Sequence, residues 1–275
     1  MPISYRRPSE NAHPNLARAS QRTRRRRRTI AALLAVVLLA GCGSIQAPGA
    51  NVGTQLDQSV PTSVMTLPLT DVTGQVRHLS DFAGKVVVIS DGMTLCQETC
   101  PLDTATVVRT AHRIDAAGLG DKVQFLTISV DPERDTVPQI AAYRKLYAAS
   151  GTLPNWTVLT GSPNTISRLW KHFGVYTKKV REDNPPAKNW RTGQTLSYDI
   201  EHSDEVFFLD GKGNERFVLE GAPVVQNKSE IPTVMYHFLS KQGRHNVAHP
   251  QATDWTEAQA VQVLSWLLNK QINSR

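Results

Sequence analysis

Hydrophobic positions along the chain form one uninterrupted run, a stretch of helical spacing and then a second run broken by single polar residues. Lys85-Val-Val-Val-Ile-Ser90 is apolar at every inner position, which predicts a central strand covered on both faces. From Pro101 to about Ala117 the period becomes helical, with Val107, Ala111 and Ile114 on one face and Gly118 near the end. Lys122 to Val130 is the next buried run. A helix over Val137 to Ala149, a third strand over Trp156 to Leu159 and a helix from Ser162-Pro-Asn-Thr to Phe173 follow. Upstream, Val64 to Leu69 alternates like a strand. Asp71-Val-Thr-Gly74 is a turn, and Gln75 to Leu79 completes a hairpin. Downstream, residues 181–200 contain Pro185, Pro186 and Gly193 and predict a long loop. Glu205 to Leu209, the turn Asp210-Gly-Lys-Gly-Asn214 and Arg216 to Leu219 predict a second hairpin. Residues 221–252 lack a clear period and are expected to be an irregular or weakly helical insertion. Thr256 to Lys270 carries Val261, Leu264 and Leu268 at helical spacing. Strand–helix alternation closed by a hairpin and a helix predicts the α/β class, a central mixed sheet flanked by helices. Within that class the thioredoxin-like fold fits best.

Charge changes the picture only at the N-terminus. Of a total of +7, residues 1–41 carry nine arginines against Glu10, a net of +8, which leaves −1 for the rest. The folded body is therefore not expected to bind nucleic acid, and a targeting segment explains the basic run. Arg24 to Arg28 form a positive region, and Ile30 to Ala40 an apolar one, short of the ~20 residues that span a bilayer. Leu39-Ala-Gly-Cys42 then resembles a bacterial lipobox, whose cysteine is lipid-modified and becomes the first mature residue. The expected organisation is a lipoprotein signal peptide over 1–41, a flexible tether over 42–63 and the domain over 64–275. An ordinary signal peptide or an uncleaved anchor are the alternatives, and export could be Sec or twin-arginine. In each case the domain works outside the cytoplasm, in the periplasmic or extracytoplasmic space, where thiols tend to be oxidised.

Three cysteines occur, and with Cys42 taken by the lipid, Cys96 and Cys100 are the free pair. They lie in Asp91-Gly-Met-Thr-Leu-Cys-Gln-Glu-Thr-Cys-Pro101, between the first buried run and a helix. A helix N-terminus favours thiolate, which is both a redox nucleophile and a soft metal ligand. The spacing alone leaves a redox pair and a metal pair open. A purely structural disulfide is the poorest reading, because so short a loop yields little stabilisation. Zinc would need a fourth ligand that the cysteine count does not supply.

Three segments in order carry a family resemblance: Thr94-Leu-Cys96-Gln-Glu-Thr-Cys100-Pro101, Ser129-Val-Asp131-Pro-Glu-Arg134-Asp135, and Tyr198-Asp-Ile-Glu-His202-Ser203. Over roughly residues 64–220 and the terminal helix, the chain resembles the Sco (SenC-like) family of copper-binding, thioredoxin-fold assembly factors for cytochrome c oxidase. The resemblance implies that Cys96, Cys100 and His202 bind one copper ion, Cu(I) or Cu(II). It also implies a copper-accepting subunit of a haem–copper oxidase and a thiol reductant protein as partners, beside the membrane reached through the lipid anchor. The protein would be a copper chaperone more than an enzyme. A thiol–disulfide reductase using Cys96 and Cys100, or a copper or redox sensor, are the alternatives. The chain departs from the family at Gln97, where proline is usual, at Met93, where an aromatic is usual, and in the length of 221–252. Neither Gln97 nor Met93 removes a ligand.

Secondary candidates have plain structural alternatives. His245 and His249, with His237 nearby, read either as a second metal site or as a solvated loop, the latter favoured. Asp131 either orients the cysteine loop or caps the helix after Pro132. Trp190 and Tyr198 either line a partner surface or pack a loop. Met93 either offers a thioether to copper or fills the core.

Overall fold

The structure is a computed structural model that describes residues 44–148 and 153–273. The chain divides into two units, Met1–Ser44 and Ile45–Arg275, and apart from Ser44 the described residues belong to the second. The arginine run, the apolar run Ile30 to Ala40 and Cys42 lie outside the described residues.

The first apolar run is strand β4 (Val86–Gly92), buried at every position as expected of a strand covered on both faces. It pairs in parallel with β5 (Val123–Ser129), which pairs in parallel with β6 (Trp156–Gly161). Helix α2 (Cys100–Ala116) connects β4 to β5, and α3 (Val137–Tyr147) connects β5 to β6. On its other edge β4 pairs antiparallel with β9 (Glu205–Leu209) of the hairpin β9–β10 (Asn214–Glu220). The short strands β2 (Leu69–Asp71) and β3 (Val76–Arg77) extend the sheet beyond β6, and β1 (Thr54–Ser59) lies outside β10, giving the order β1-β10-β9-β4-β5-β6-β2-β3. This is the thioredoxin-like mixed sheet flanked by helices that the sequence predicts.

Side chains alternate across a strand. Val86 and Val88 therefore join an apolar layer with Leu102 and Ile114 of α2, Ile140 of α3 and Leu264 of α7 (Glu257–Leu267). Val87 and Ile89 join the opposite layer with Ile166, Leu169 and Trp170 of α4 (Pro163–Phe173), and with both cysteines. Asp91, two residues past Ile89, falls on that second face. Helix α7 opens on a reciprocal cap between Thr256 and Gln259. It is fixed to α2 where Arg109 and Arg113 reach the buried Glu257 carboxylate.

Four expectations are corrected. The segment 42–63 is not all tether. Thr54–Ser59 forms β1, paired antiparallel with β10 along its otherwise open edge, and Val52 and Val60 are buried. As an exposed edge strand of sequence TQLDQS it has no hydrophobic pattern to read. Val64 to Leu69 is not one strand. Thr62–Met65 is the short helix α1, and pairing starts only at Leu69. The loop 181–200 is flanked by a two-stranded ribbon of β7 (Thr177–Val180) and β8 (Asp199–His202) that takes up its last two residues. Finally, of the two readings of 221–252 the irregular one is corrected and the helical one holds. The segment contains a 3₁₀ turn at Lys228–Glu230 and the helices α5 (Thr233–Phe238) and α6 (Lys241–Ala248). Ile231, Met235 and Leu239 anchor it in the first apolar layer, but helices of two turns are too short to show a period. No helix of the described residues is long and apolar enough to cross a membrane.

Candidate metal centre

The loop between Gly92 and Cys100 carries the two thiols, and three neighbours hold its backbone. Thr94 donates from its amide (3.2 Å) and its hydroxyl (2.5 Å) to Asp135, whose other oxygen accepts from Ser129 Oγ at 2.6 Å. The Thr94 carbonyl accepts from Trp190 Nε1 at 2.7 Å. The Cys96 amide turns back to the Met93 carbonyl at 3.3 Å. Further along, the Ser240 amide donates to the Gln97 carbonyl at 2.9 Å, and the Gln97 side-chain amide to Glu182 at 3.2 Å. Cys100 is the first residue of α2, with Pro101 in the first turn where its missing N–H costs no helical bond.

Gln97 is thus held from outside by the N-terminus of α6. Gly243 sits in the first turn of that helix because a Cβ there would lie 2.2 Å from the Gln97 carbonyl oxygen and 3.1 Å from Glu98 Cα. Gly243→Ala improves helix propensity, yet it forces backbone apart at the loop. Metal affinity is expected to fall about tenfold, as on loss of other outer supports of a site, with far-UV circular dichroism unchanged. A competition titration on the reduced protein checks it, and undiminished affinity would refute the role given to α6.

His202 comes from the far side. It ends β8, opposite Thr177, and Ser203 and Tyr176 exchange bonds immediately after it. Its Nδ1 lies 2.6 Å from Asp91 Oδ2 and 2.6 Å from the Ser203 carbonyl. Nδ1 placed between two acceptors must carry a proton, so Nε2 is the nitrogen offered to the thiols, 3.2 Å from Cys100 Sγ. Asp91 is itself fixed by the Glu205 amide at 2.9 Å. One ligand atom from each of Cys96, Cys100 and His202 lies within 4.8 Å of the others. All three side chains are nearly buried: the cysteines are 6% and 1% exposed, the His202 side chain 4%. The expected loop at His202 is instead a strand end, and the ribbon sets its direction.

The electrostatics of the pair are asymmetric. The Cys96 thiol is held well below its usual range, first by the Cys100 thiol donating to it, against the effect of burial, then by His202 and the Glu98 amide. Cys100 is pushed well above it by burial and by that same bond. Burial opposes charge on His202, but the Asp91 carboxylate and the Cys96 thiolate outweigh it and hold the imidazole well above its ordinary value. Burial and then the neighbouring Asp204 push Asp103 well above its ordinary value, and burial and Asp91 push Asp204 up to about 6. Asp91, His202 and Asp204 also converge, through the Nδ1 that already donates to Asp91. The site thus pairs a thiol pushed down with a thiol pushed up, beside an imidazole whose charged form is favoured. Two sulfurs and one nitrogen suit a soft ion, and filling all three positions expels the Cys100 and Nε2 protons.

The secondary candidates have other surroundings. Met93 is buried in the second apolar layer, with its sulfur 3.9 Å from Arg134. Asp131 accepts from Arg134 and from Tyr198 Oη (2.9 Å), and α3 starts later, after Thr136, so Asp131 does not cap it. The cysteine loop is oriented by Asp135 instead. Trp190 packs the 181–198 loop against Thr94, and the Tyr198 ring lies under Arg134 and Lys179 at 3.9 and 3.6 Å. His245 and His249 lie on α6 and at its end rather than in a loop. Sequence reasoning misses Asp91, Asp135, Ser240 and Gly243. An acid at the end of an otherwise apolar strand is the available signal for Asp91.

A model of the SCO1/SenC family matches residues 59–229, more than half of the chain, and takes in both cysteines and His202. The chain belongs to the SCO1/SenC family. Among relatives of this SCO1/SenC protein, the mitochondrial SCO2 homologue of Bos taurus is 30% identical over 145 residues, 53% of this chain and 49% of that one. The chain thus spans about half the length of that relative. Copper-bound ScoI of Bradyrhizobium japonicum is 26% identical, with a TM-score of 0.43 over 66% of this chain and 97% of that one. BsSco, described as a member of the Sco family of cytochrome c oxidase assembly proteins with a disulfide switch, is 20% identical, with a TM-score of 0.46 over 71% and 100%.

Proposed function

We propose that this SCO1/SenC protein carries one copper ion, Cu(I) or Cu(II), on Cys96, Cys100 and His202, and passes it to the dinuclear copper site of a haem–copper oxidase subunit. The observation that carries this reading is the convergence of two thiols from one loop with an imidazole from a strand about a hundred residues later. The donor set fits the ion: thiolates select soft copper, and a tetrahedral structural zinc site would lack its fourth ligand. Transfer is by ligand exchange, partner thiolates replacing those of Cys96 and Cys100. Because copper needs both thiols reduced, a thiol reductant protein keeps the donor loadable in an oxidising compartment. The arginine run, the short apolar run and Cys42 support attachment by a lipid at the outer face of the bacterial cytoplasmic membrane. Whether Cys42→Ser leaves the membrane fraction tests that anchor.

A second reading has its own observation. At a helix N-terminus Cys96 is pushed toward the thiolate and Cys100 away from it, as an attacking and a resolving cysteine of a disulfide reductase would be. One experiment separates the two. Copper-loaded protein is mixed with the metal-free, reduced copper domain of the oxidase subunit, and metal-free, reduced protein with the disulfide form of that domain. Delivery predicts that copper moves to the reduced acceptor. If the disulfide form is reduced and no copper moves to the reduced acceptor, the protein is a reductase.

A further inference from the structure

We propose that α6 carries a second metal site, formed by His245 and His249, that takes up divalent copper from solution. The site is separate from the thiol centre and does not depend on what that centre does. Two histidines four apart meet on one face only where the backbone is helical, and the structure supplies that helix. The His249 amide donates to the His245 carbonyl at 2.9 Å, which closes the last turn between them. Their ring centroids are 4.5 Å apart and tilted by 36°. At that separation one nitrogen from each ring can bind a common ion at about 2.0–2.1 Å.

Both rings are exposed. Gly243, which touches the cysteine loop, is two residues before His245, or about 200° around the helix. The pair therefore lies on the solvent side of the helix whose other side fixes the copper loop. Neither ring is engaged elsewhere: among the described residues no acidic side chain pairs with them. Gln242 and Asn246 bond to each other at 2.8 Å, and the Arg244 guanidinium is turned back to the Leu239 carbonyl at 2.5 Å. The nearest acid in sequence, Asp254, is occupied by the Gln251 amide at 2.6 Å. Two imidazoles with the remaining positions open to water make an exchangeable site. Among divalent first-row ions such a nitrogen site ranks Cu(II) highest. The same short insertion thus supports the thiol loop on one side and presents a copper-collecting pair on the other.

The test uses the full chain already loaded with one equivalent of copper, so that the thiols are occupied. Cu(II) is added under equilibrium dialysis and followed by electron paramagnetic resonance. A second equivalent with nitrogen hyperfine structure is expected. His245→Ala and His249→Ala should each weaken it about tenfold or more, because a single imidazole loses the effective concentration of its partner. A chain with Cys96→Ser and Cys100→Ser should keep this equivalent while losing the first. That arm separates failure of this site from failure of the thiol site. Uptake that stops at one equivalent, or a second equivalent that survives in the double histidine variant, would overturn the proposal. Both histidines are exposed, so the variants fold, and the first equivalent reports it.

Discussion

His202→Ala is expected to lose tight copper binding while leaving a dithiol that still exchanges with disulfides. The imidazole is the only nitrogen facing the two sulfurs among the converging groups, and its Nδ1 side is occupied by Asp91 and Ser203. The other members of the converging groups are Asp91 and Asp204, and carboxylates are poor ligands for a soft ion. The loss should exceed the roughly 10–100-fold that removing an outer partner costs. The thiols remain where Asp135, Ser240 and α2 put them. Cys96 keeps its largest source of thiolate stabilisation, the Cys100 thiol, but loses His202, so exchange should persist with its pH profile moved upward. Competition titration for Cu(I) and the pH dependence of exchange with a model disulfide check the two halves. Copper affinity within a few-fold of the parent would remove His202 from the site. Loss of exchange together with copper would mean that the ring also builds the redox pair.

Asp135→Ala should produce the largest loss of stability of any single change near the site. The carboxylate is buried and accepts from the Thr94 amide, the Thr94 hydroxyl and the Ser129 hydroxyl. A buried donor without a partner costs about 1–3 kcal/mol. The hydroxyls can turn, but the amide cannot, so a loss at the upper end of that range is expected from urea unfolding of the reduced, metal-free chain. The same residue gives stability a pH dependence. Burial, only partly offset by the bonds from Ser129 and Thr94, pushes Asp135 from 3.8 up to about 7. The folded state therefore holds this proton more tightly than the unfolded chain. Its contribution is full below the unfolded value and declines as pH rises through about 7. Asp199 and Asp204, each raised to about 6, and Glu205, raised to about 7, act with the same sign. The unfolding midpoint of the parent should thus fall as pH rises over this range, and Asp135→Ala should lose its share of the slope. An identical slope in both chains would show that Asp135 does not titrate there.

The strands and helices around the site are legible because burial imposes pattern. Val86 to Ile89 is apolar throughout and Val123, Phe125, Leu126, Ile128 and Val130 mark the next strand because both faces are covered, and α2 shows its face through Val107, Ala111 and Ile114. Elements held by backbone pairing at an exposed edge leave no such trace. That is why β1 has the pattern of a tether and the start of β8 that of a loop. The same limit applies to Asp131 and Asp135, four residues apart in one motif. Either could reach the cysteine loop, and only the turn between β5 and α3 aims Asp135 at Thr94 and Asp131 at Arg134 and Tyr198.

From sequence alone come the sheet, the two thiols at a helix entrance and, through resemblance, the histidine that belongs with them. These rest on local chemistry: hydrophobic period, proline at a helix start, and the identity of soft donors. Tertiary structure decides which nitrogen of His202 faces the sulfurs, which thiol is ionised, and what the segment 221–252 is for. Each of those depends on contacts between residues far apart in the chain. Asp91 reaches His202 across 111 positions, and Gly243 must be glycine only because the Gln97 carbonyl lies against it.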